Sequence, residues 1–254
     1  MQVSGYAFNG RGGLVVTNVT GIWLWDAKSE PILLANEVGG KQCVMNDCIA
    51  DPEGRVYSGS YWRNQSGEFE PGAGCLFRVD RDGSVRIVDE GFHLSNGLGF
   101  SPDCRLLYFV DSAVRRIYSY DWERANGSLR NRRVFVNVPL TEGIPDGLTV
   151  DCEGYIWCAH WFGACVIRYD PDGKIERRIE MPALQVSSVT FGGPDLTEMF
   201  VTSAAKTDSL SIAPTGYDPA SGYTGGPVYH VKQDIQGREE YWAKIHKSSA
   251  GRET

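Results

Sequence analysis

The chain has 254 residues, of which 42% are hydrophobic and 22% are charged, so it can bury a sizeable core and lacks the composition of a disordered chain. Its formal charge is −7, and no run of basic residues suited to neutralising phosphates occurs, which argues against a nucleic-acid partner. No stretch reaches the roughly 18 consecutive apolar residues that span a bilayer. The first residues also lack a signal-peptide pattern, so we expect no membrane partner and a cytoplasmic location.

Five similar turns, each followed by an apolar strand, recur along the chain. The turns are Asn9–Gly13, Asp51–Gly54, Ser101–Cys104, Asp151–Gly154 and Gly193–Asp195. Leu14, Val56, Leu107, Ile156 and Met199 in the strands that follow are 42, 51, 49 and 43 residues apart. Self-similarity with such a period is typical of a repeat architecture.

Each repeat continues with a second strand of alternating residues, as in Ile22–Asp26, and with a further strand such as Val85–Val88. Several short strands in units of roughly 40–50 residues are typical of β-propeller blades, and an antiparallel sandwich is the alternative that this pattern leaves open. We therefore predict an all-β protein with one propeller domain over residues 1–243 and a polar C-terminal tail over residues 244–254.

One polar residue occupies an equivalent position at the start of each repeat. These residues are Ser4, Asn46, Asn96, Asp146 and Ser187, spaced by 42, 50, 50 and 41 residues. One such residue on the innermost strand of each blade would bring all five side chains to the central channel. Their oxygen atoms suit a hard divalent cation such as calcium, and Asn96 and Asp146 are the best ligand candidates. The alternative is that Asn and Asp before glycine only form turns.

The sequence contains no phosphate-binding loop, no Gly-x-Ser-x-Gly elbow and no His-Glu-x-x-His motif. His160 follows a strand of the Asp146 repeat, where a propeller loop would face the mouth of the channel. It is a candidate substrate contact or general base, with a hydrogen-bonded loop histidine as the alternative. The seven cysteines are odd in number and form no Cys-x-x-Cys pair, which indicates free thiols.

The chain resembles the family of gluconolactonases, senescence marker protein (regucalcin) and luciferin-regenerating enzymes. The resemblance covers roughly residues 3–231, and the matching stretches are Met45–Asp47, Asp51–Arg55, Leu94–Leu98, Ile144–Leu148, Phe191–Gly193 and Glu198–Thr202. It implies a six-bladed propeller with one divalent cation in the channel, with calcium the first expectation and zinc or magnesium the alternatives. It also implies hydrolysis of sugar lactones.

The resemblance further implies roles for individual residues. Asn96 and Asp146 match two metal ligands of the family, and Asp146 also matches its general base. Asn46 matches a substrate-contacting asparagine. The family's third ligand, a glutamate in a Glu-x-Pro-x-Trp context, has no counterpart in these 254 residues. Val44 stands where animal members of the family carry a substrate-contacting arginine, and Asn64 falls near a position where they can carry an acidic group.

We therefore expect an incomplete N-terminal blade, and an oligomer or strand exchange that would complete the ring. The predicted function is a divalent-metal-dependent lactonase, with a small lactone or sugar-acid derivative as the substrate. The alternatives are a non-catalytic propeller that binds calcium or a small polyol, a fragment with a weakened metal site, and phosphotriester hydrolysis on the same scaffold.

Overall fold

The computed structural model describes residues 2–205, 211–217 and 225–246. The first sheet contains β1 (Gly5–Phe8), β2 (Leu14–Asn18), β3 (Gly21–Trp25) and β4 (Ile32–Ala35). A short hairpin follows, formed by β5 (Glu37–Val38) and β6 (Lys41–Gln42). The second sheet contains β7 (Met45–Ala50), β8 (Val56–Ser60), β9 (Gly74–Val79) and β10 (Val85–Phe92).

The third sheet contains β11 (Ser95–Phe100), β12 (Leu106–Asp111), β13 (Arg116–Glu123) and β14 (Ser128–Asn137). A short 3-10 helix, Leu140–Glu142, leads into the fourth sheet, which contains β15 (Ile144–Val150), β16 (Ile156–Trp161), β17 (Cys165–Tyr169) and β18 (Ile175–Glu180). The fifth contains β19 (Val186–Gly192), β20 (Glu198–Ser203) and β21 (Tyr229–Lys232). All these sheets are antiparallel, and their strands follow chain order.

The five large sheets are the blades of a propeller, as the repeat predicts. The first strand of each blade packs beside the first strand of the next, in the order β1, β7, β11, β15 and β19. The residues described show no comparable packing of β19 against β1. The expectation of six blades is therefore corrected to five for the residues described, because these form one blade per repeat and the repeat occurs five times.

Counted over the described residues, the blade with the fewest strands is the last one and not, as we had expected, the first. The first blade has four strands there, whereas the fifth has three, and β21 is its outermost strand. The hairpin β2–β3 and the turn into β4 complete the first sheet from local sequence alone. The N-terminal blade therefore needs no added strand to form a four-stranded sheet.

The recurring Asp turn has a clear structural role. Asp151 accepts hydrogen bonds from the backbone N–H groups of Glu153 and Tyr155, both at 3.0 Å. Its second oxygen accepts from the Trp157 indole at 2.9 Å and from the Arg168 guanidinium at 2.7 Å. The carboxylate thus closes the turn and fixes two neighbouring strands, so the motif is structural.

A C-terminal segment, residues 233–246, crosses one end of the propeller and contacts every blade. Gly237 N–H donates to Leu196 in the fifth blade, Gln236 accepts from the backbone of the fourth, and Arg238 donates to Phe100 of the third. Lys244 N–H donates to Gly54 of the second blade at 2.8 Å. Ala243 pairs with the first blade through Phe8 and Gly10.

The predicted boundary at residue 243 falls inside this packed segment. Ile245 is only 1% exposed, and its N–H and C=O bond the side chain of Asn9, each at 3.0 Å. An apolar side chain with both backbone groups paired belongs to the core, so the propeller extends at least to His246. The remainder of the predicted tail, 247–254, lies outside the described residues.

All seven cysteines have free thiols, in agreement with their odd number. In the part of the chain that the structure covers, no helix has the length and apolar character needed to cross a membrane.

Candidate functional site

The inner strands begin at one cavity of about 400 Å³. All five of the predicted ring residues, one from each blade, line it: Ser4, Asn46, Asn96, Asp146 and Ser187. Small residues allow this convergence. A Cβ atom on Gly97 would lie 2.6 Å from the carbonyl oxygen of Asp146, and one on Gly5 would lie 3.0 Å from that of Asn46. Neighbouring inner strands can approach this closely only where a side chain is missing.

The Asn46 amide is oriented by the neighbouring blade. Its Nδ2 donates to the backbone carbonyl of Ser95 at 2.8 Å. Because a carbonyl oxygen can only accept, the amide nitrogen must face Ser95, and Oδ1 is the other atom of the group. No hydrogen bond to that Oδ1 is present among the described residues, so it is available to a ligand.

Asn96 is oriented in the same way by a relay. The Ser112 hydroxyl donates to the carbonyl of Pro145 at 2.6 Å, so its oxygen accepts from Asn96 Nδ2 at 3.0 Å. The relay connects the third blade to the residue before Asp146. It leaves Asn96 Oδ1 without a hydrogen bond within the described part of the chain, and this oxygen too can serve as a ligand.

Two carboxyl groups share the cavity, Asp146 and Asp47. Burial, together with the nearby charge of Asp47, raises the pKa of Asp146 well above its usual value. Burial and the charge of Glu240 raise the pKa of Asp47 to about 6, although one of its oxygens accepts from the Cys48 N–H at 2.7 Å. Neither carboxyl group forms an ion pair within the described residues, so no cationic side chain there neutralises the charge that each carries when ionised.

Sequence reasoning did not select Asp47, although the repeat contained the signal. The residue after the ring position is glycine in three repeats, Gly5, Gly97 and Gly147, and serine in a fourth, Ser188. Only the second repeat has a charged residue there. Aligning the repeats one position beyond the ring residue identifies Asp47 as the exception.

The structure does not bring His160 to the cavity. It is fully buried on β16, on the same face as Ile156 and Cys158, because side chains along a strand alternate between faces. Its Nδ1 donates to the Glu142 carbonyl at 2.6 Å, and its Nε2 accepts from the Tyr169 hydroxyl at 3.1 Å. Burial lowers the pKa of His160 to about 4, so it is neutral at pH 7. His160 is thus absent from the residues that line the cavity, its hydrogen bonds support a structural role, and its role as a substrate contact stays a prediction.

The rim of the cavity combines one guanidinium with aromatic rings. Arg63 lies 4.0 Å from the ring centre of Phe69, and Tyr61 and Trp161 also line the opening. Arg63 is the sole guanidinium among the described lining residues. Arg63 comes from the loop after β8. The family resemblance placed a substrate-contacting arginine at the position of Val44, so it did not point to Arg63.

The donor set of the cavity fits a divalent cation. Asn46, Asn96, Asp47 and Asp146 all offer oxygen atoms, which are the ligands that calcium and magnesium prefer. Two unpaired carboxylates in one cavity are also stabilised by a positive charge between them. No group of three His, Cys, Asp or Glu suited to a metal occurs in the described ranges, so asparagine oxygens are needed to complete a site.

A known protein family and a curated relative both match most of this chain. The SMP-30/gluconolactonase/LRE-like region matches residues 2–205. A pentonolactonase of Haloferax volcanii is 40% identical over 200 residues, which are 79% of this chain and 66% of that protein. The chain thus matches slightly less than two thirds of that relative's length.

Two solved structures share the fold at 28% sequence identity. A luciferin-regenerating enzyme superposes with a TM-score of 0.80, covering 96% of this chain and 82% of the other. A calcium-binding protein, regucalcin, of Agrobacterium tumefaciens superposes with a TM-score of 0.79, covering 94% and 79%.

Proposed function

This chain belongs to the SMP-30/gluconolactonase/LRE-like family, and on that premise we propose that it is a metal-dependent lactonase that opens a sugar lactone or a related cyclic ester. The convergence of Asn46, Asn96, Asp47 and Asp146 on one cavity is the observation that carries this proposal. The name of the pentonolactonase relative supports a lactone as the substrate class.

In the proposed reaction, water adds to the carbonyl carbon of the lactone and gives up a proton to Asp146. The ring C–O bond then breaks, and the ring oxygen takes up a proton, so the product is an open-chain hydroxy acid. Asp146 suits this role because its carboxyl group lines the cavity, and because burial and the charge of Asp47 raise its pKa, which makes it a stronger proton acceptor. The low dielectric constant of a buried site and the charge of a second carboxylate both raise the pKa of an aspartate.

Asn96, Asp146 and Asp47 are the residues that would hold the cation, with Asn46 beside them. When bound, a divalent cation supplies Lewis acidity toward an ester carbonyl. The hydrogen bonds of Asn96 to Ser112 and of Asn46 to Ser95 hold the two amides in place before any ligand arrives. This preorganisation reduces the entropy lost on binding.

The cavity wall suits a hydroxylated ring. Ser4, Ser187 and Thr202 offer hydroxyl groups, and Ser187 and Thr202 already bond each other at 2.8 Å. The aromatic rings at the rim offer apolar faces to ring C–H groups. Arg63 can donate to a substrate oxygen or to the carboxylate of the product.

Hydrolysis of a panel of five- and six-carbon sugar lactones, in separate solutions of calcium, zinc and magnesium, tests the proposal. Asp146→Asn should lower kcat by at least about 100-fold, since general bases contribute roughly 10²–10⁴-fold. Asp170→Asn, in an exposed turn of the fourth blade, is the matched control and should leave kcat unchanged.

Two results would contradict the assignment. Unchanged turnover in Asp146→Asn would remove this carboxylate from the reaction. Cation binding by calorimetry with no hydrolysis of any lactone would instead favour a non-catalytic propeller that binds calcium or a polyol. A phosphotriester included in the panel distinguishes the remaining hydrolytic alternative.

A further inference from the structure

A second cavity, of about 630 Å³, lies at the end of the propeller opposite the candidate site. It is formed between turns of the first three blades and the C-terminal segment. Five arginines and one lysine line it, against three acidic residues. This excess of positive charge is unexpected in a chain with a net charge of −7, and no basic run in the sequence announces it.

The basic residues come from segments that are distant in sequence. Arg11 belongs to the β1–β2 turn, Arg81 to the β9–β10 turn, and Lys244 and His246 to the C-terminal segment. All four are exposed. Within the described residues, Arg11, Arg81 and Lys244 form no ion pair, so their charges are available to a ligand.

The other three arginines of the cavity have partners inside the protein. Arg55 pairs with Asp51 at 2.5 Å, and the Arg78 guanidinium donates to the Asn126 carbonyl at 2.8 Å. Arg86 pairs with Asp80 at 2.7 Å. Three positive charges therefore remain uncompensated.

Two of the three acidic groups, Asp80 and Glu53, form ion pairs with arginines. Glu53 pairs with Arg124 at 2.6 Å, and this hydrogen bond, with the charges of Arg124, Arg55 and Lys244, lowers the pKa of the Glu53 carboxyl. Asp82 accepts from the Ser84 hydroxyl at 2.7 Å and from its N–H at 3.0 Å, and it is the one acid of the cavity that forms no ion pair with a described residue. The three free cations thus outnumber the one free carboxylate.

Buried hydrogen bonds hold the segments that carry the free cations. Asn9, in the turn of Arg11, bonds both backbone groups of Ile245. His246 N–H donates to the Arg81 carbonyl at 2.9 Å, which ties the C-terminal segment to the second blade. The backbone positions of the basic residues are therefore set before a ligand binds.

We propose that this cavity binds a small molecule with two or more linked phosphate groups. Guanidinium groups pair with phosphate oxygens through two parallel hydrogen bonds, and Lys244 adds a point charge. Cations on three separate segments match several charged groups on one ligand better than a single anion. The concave shape of the site favours a small ligand over an extended surface. Binding would also connect the C-terminal segment to the first two blades and so stabilise the fold by linkage.

Calorimetric titration with tripolyphosphate, pyrophosphate and citrate at low ionic strength tests the proposal. We expect tripolyphosphate to bind most tightly and to raise Tm. The double variant Arg11→Ser/Arg81→Ser should weaken this binding at least tenfold and abolish the Tm shift. Both side chains are exposed and form no ion pair in the described part of the chain, so the variant should keep the Tm of the ligand-free protein.

Lys174→Ser provides the matched control, because Lys174 is an exposed residue of the equivalent turn in the fourth blade. This variant should bind tripolyphosphate like the parent chain. Equal affinity in the double variant, or no binding by the parent chain, would overturn the proposal. Tighter binding of citrate than of tripolyphosphate would overturn the choice of phosphate. A single-stranded oligonucleotide is titrated in the same way, and its tighter binding would overturn the choice of a small ligand. Lactone hydrolysis measured in the double variant keeps this test separate from the proposed activity.

Discussion

The two ends of the central channel are built from the same five inner strands, yet they differ in how their groups are satisfied. At the start of the strands, Asp47 and Asp146 line one cavity, and neither forms an ion pair with a residue that the structure describes. Near the other end, apolar residues such as Ile49 and Val150 meet the C-terminal segment, whose Ile245 is buried. The buried contacts at this second end thus maintain the fold, whereas the start of the strands leaves two carboxyl groups of the cavity without an ion pair in the described part of the chain, as is expected where a ligand binds.

Replacing Ile245 by aspartate should have the largest effect on stability, because it buries a charge at the end of the channel that the C-terminal segment covers. We expect the free energy of unfolding to fall by more than about 4 kcal/mol. Trp242→Asp is the control in the same segment, since Trp242 is 58% exposed, and its cost should stay below about 1 kcal/mol. Urea unfolding measures both. Equal losses in the two variants would show that the segment is not packed as described.

His160 tests whether a position near the candidate site is enough to make a residue functional. Its pKa of about 4 lies below the ordinary value of 6.5, so its contribution to stability is complete above pH 6.5. That contribution is lost as the pH falls toward 4, because the unfolded chain then binds a proton that the folded one does not.

The pH-dependent loss amounts to at most about 3.5 kcal/mol, because the pKa falls from 6.5 to about 4 and each pKa unit corresponds to about 1.4 kcal/mol. His160→Asn keeps a donor for the Glu142 carbonyl and should flatten the decline between pH 6.5 and 4 in urea unfolding. Lactone turnover at pH 7 should change little. An unchanged pH profile of stability in the variant would contradict the buried, neutral histidine.

Gly97→Ala should separate the inner strands β11 and β15 at the candidate site. The added Cβ would lie 2.6 Å from the Asp146 carbonyl, a backbone atom that cannot rotate away. We expect a loss of about 1–3 kcal/mol in stability together with weaker cation binding. Gly10→Ala is the control, because the nearest atom to its Cβ would be 3.5 Å away. Equal stability and cation affinity in the two variants would argue against the close approach of β11 and β15.

Asp47→Asn should have the smallest effect on stability and a clear effect on binding. Removing one of two neighbouring negative charges should stabilise the cation-free protein by about 1 kcal/mol. Calcium affinity should fall about tenfold, since affinity follows the charge of the ligand set. Calorimetry before and after EDTA treatment measures both forms, with Asp172→Asn, 77% exposed, as the control. Unchanged calcium affinity would exclude Asp47 from the cation site.

Much of the architecture follows from local sequence. The turns closed by Asp51 and Asp151, and the alternation along strands such as Ile22–Asp26, depend on residues a few positions apart, so they predict the blades. The repeat also predicts that Asn46, Asn96 and Asp146 share one cavity. Equivalent positions in equivalent blades must meet at the same place around a common axis.

The tertiary structure alone decided the rest. The direction of a side chain depends on strand register, which excludes His160 and admits Asp47 to the cavity. The packing of Ile245 and the gathering of Arg11, Arg81 and Lys244 depend on contacts across more than 150 residues of chain. Contacts between such distant segments leave no periodic trace in the sequence, because each depends on where the other segment lies after folding.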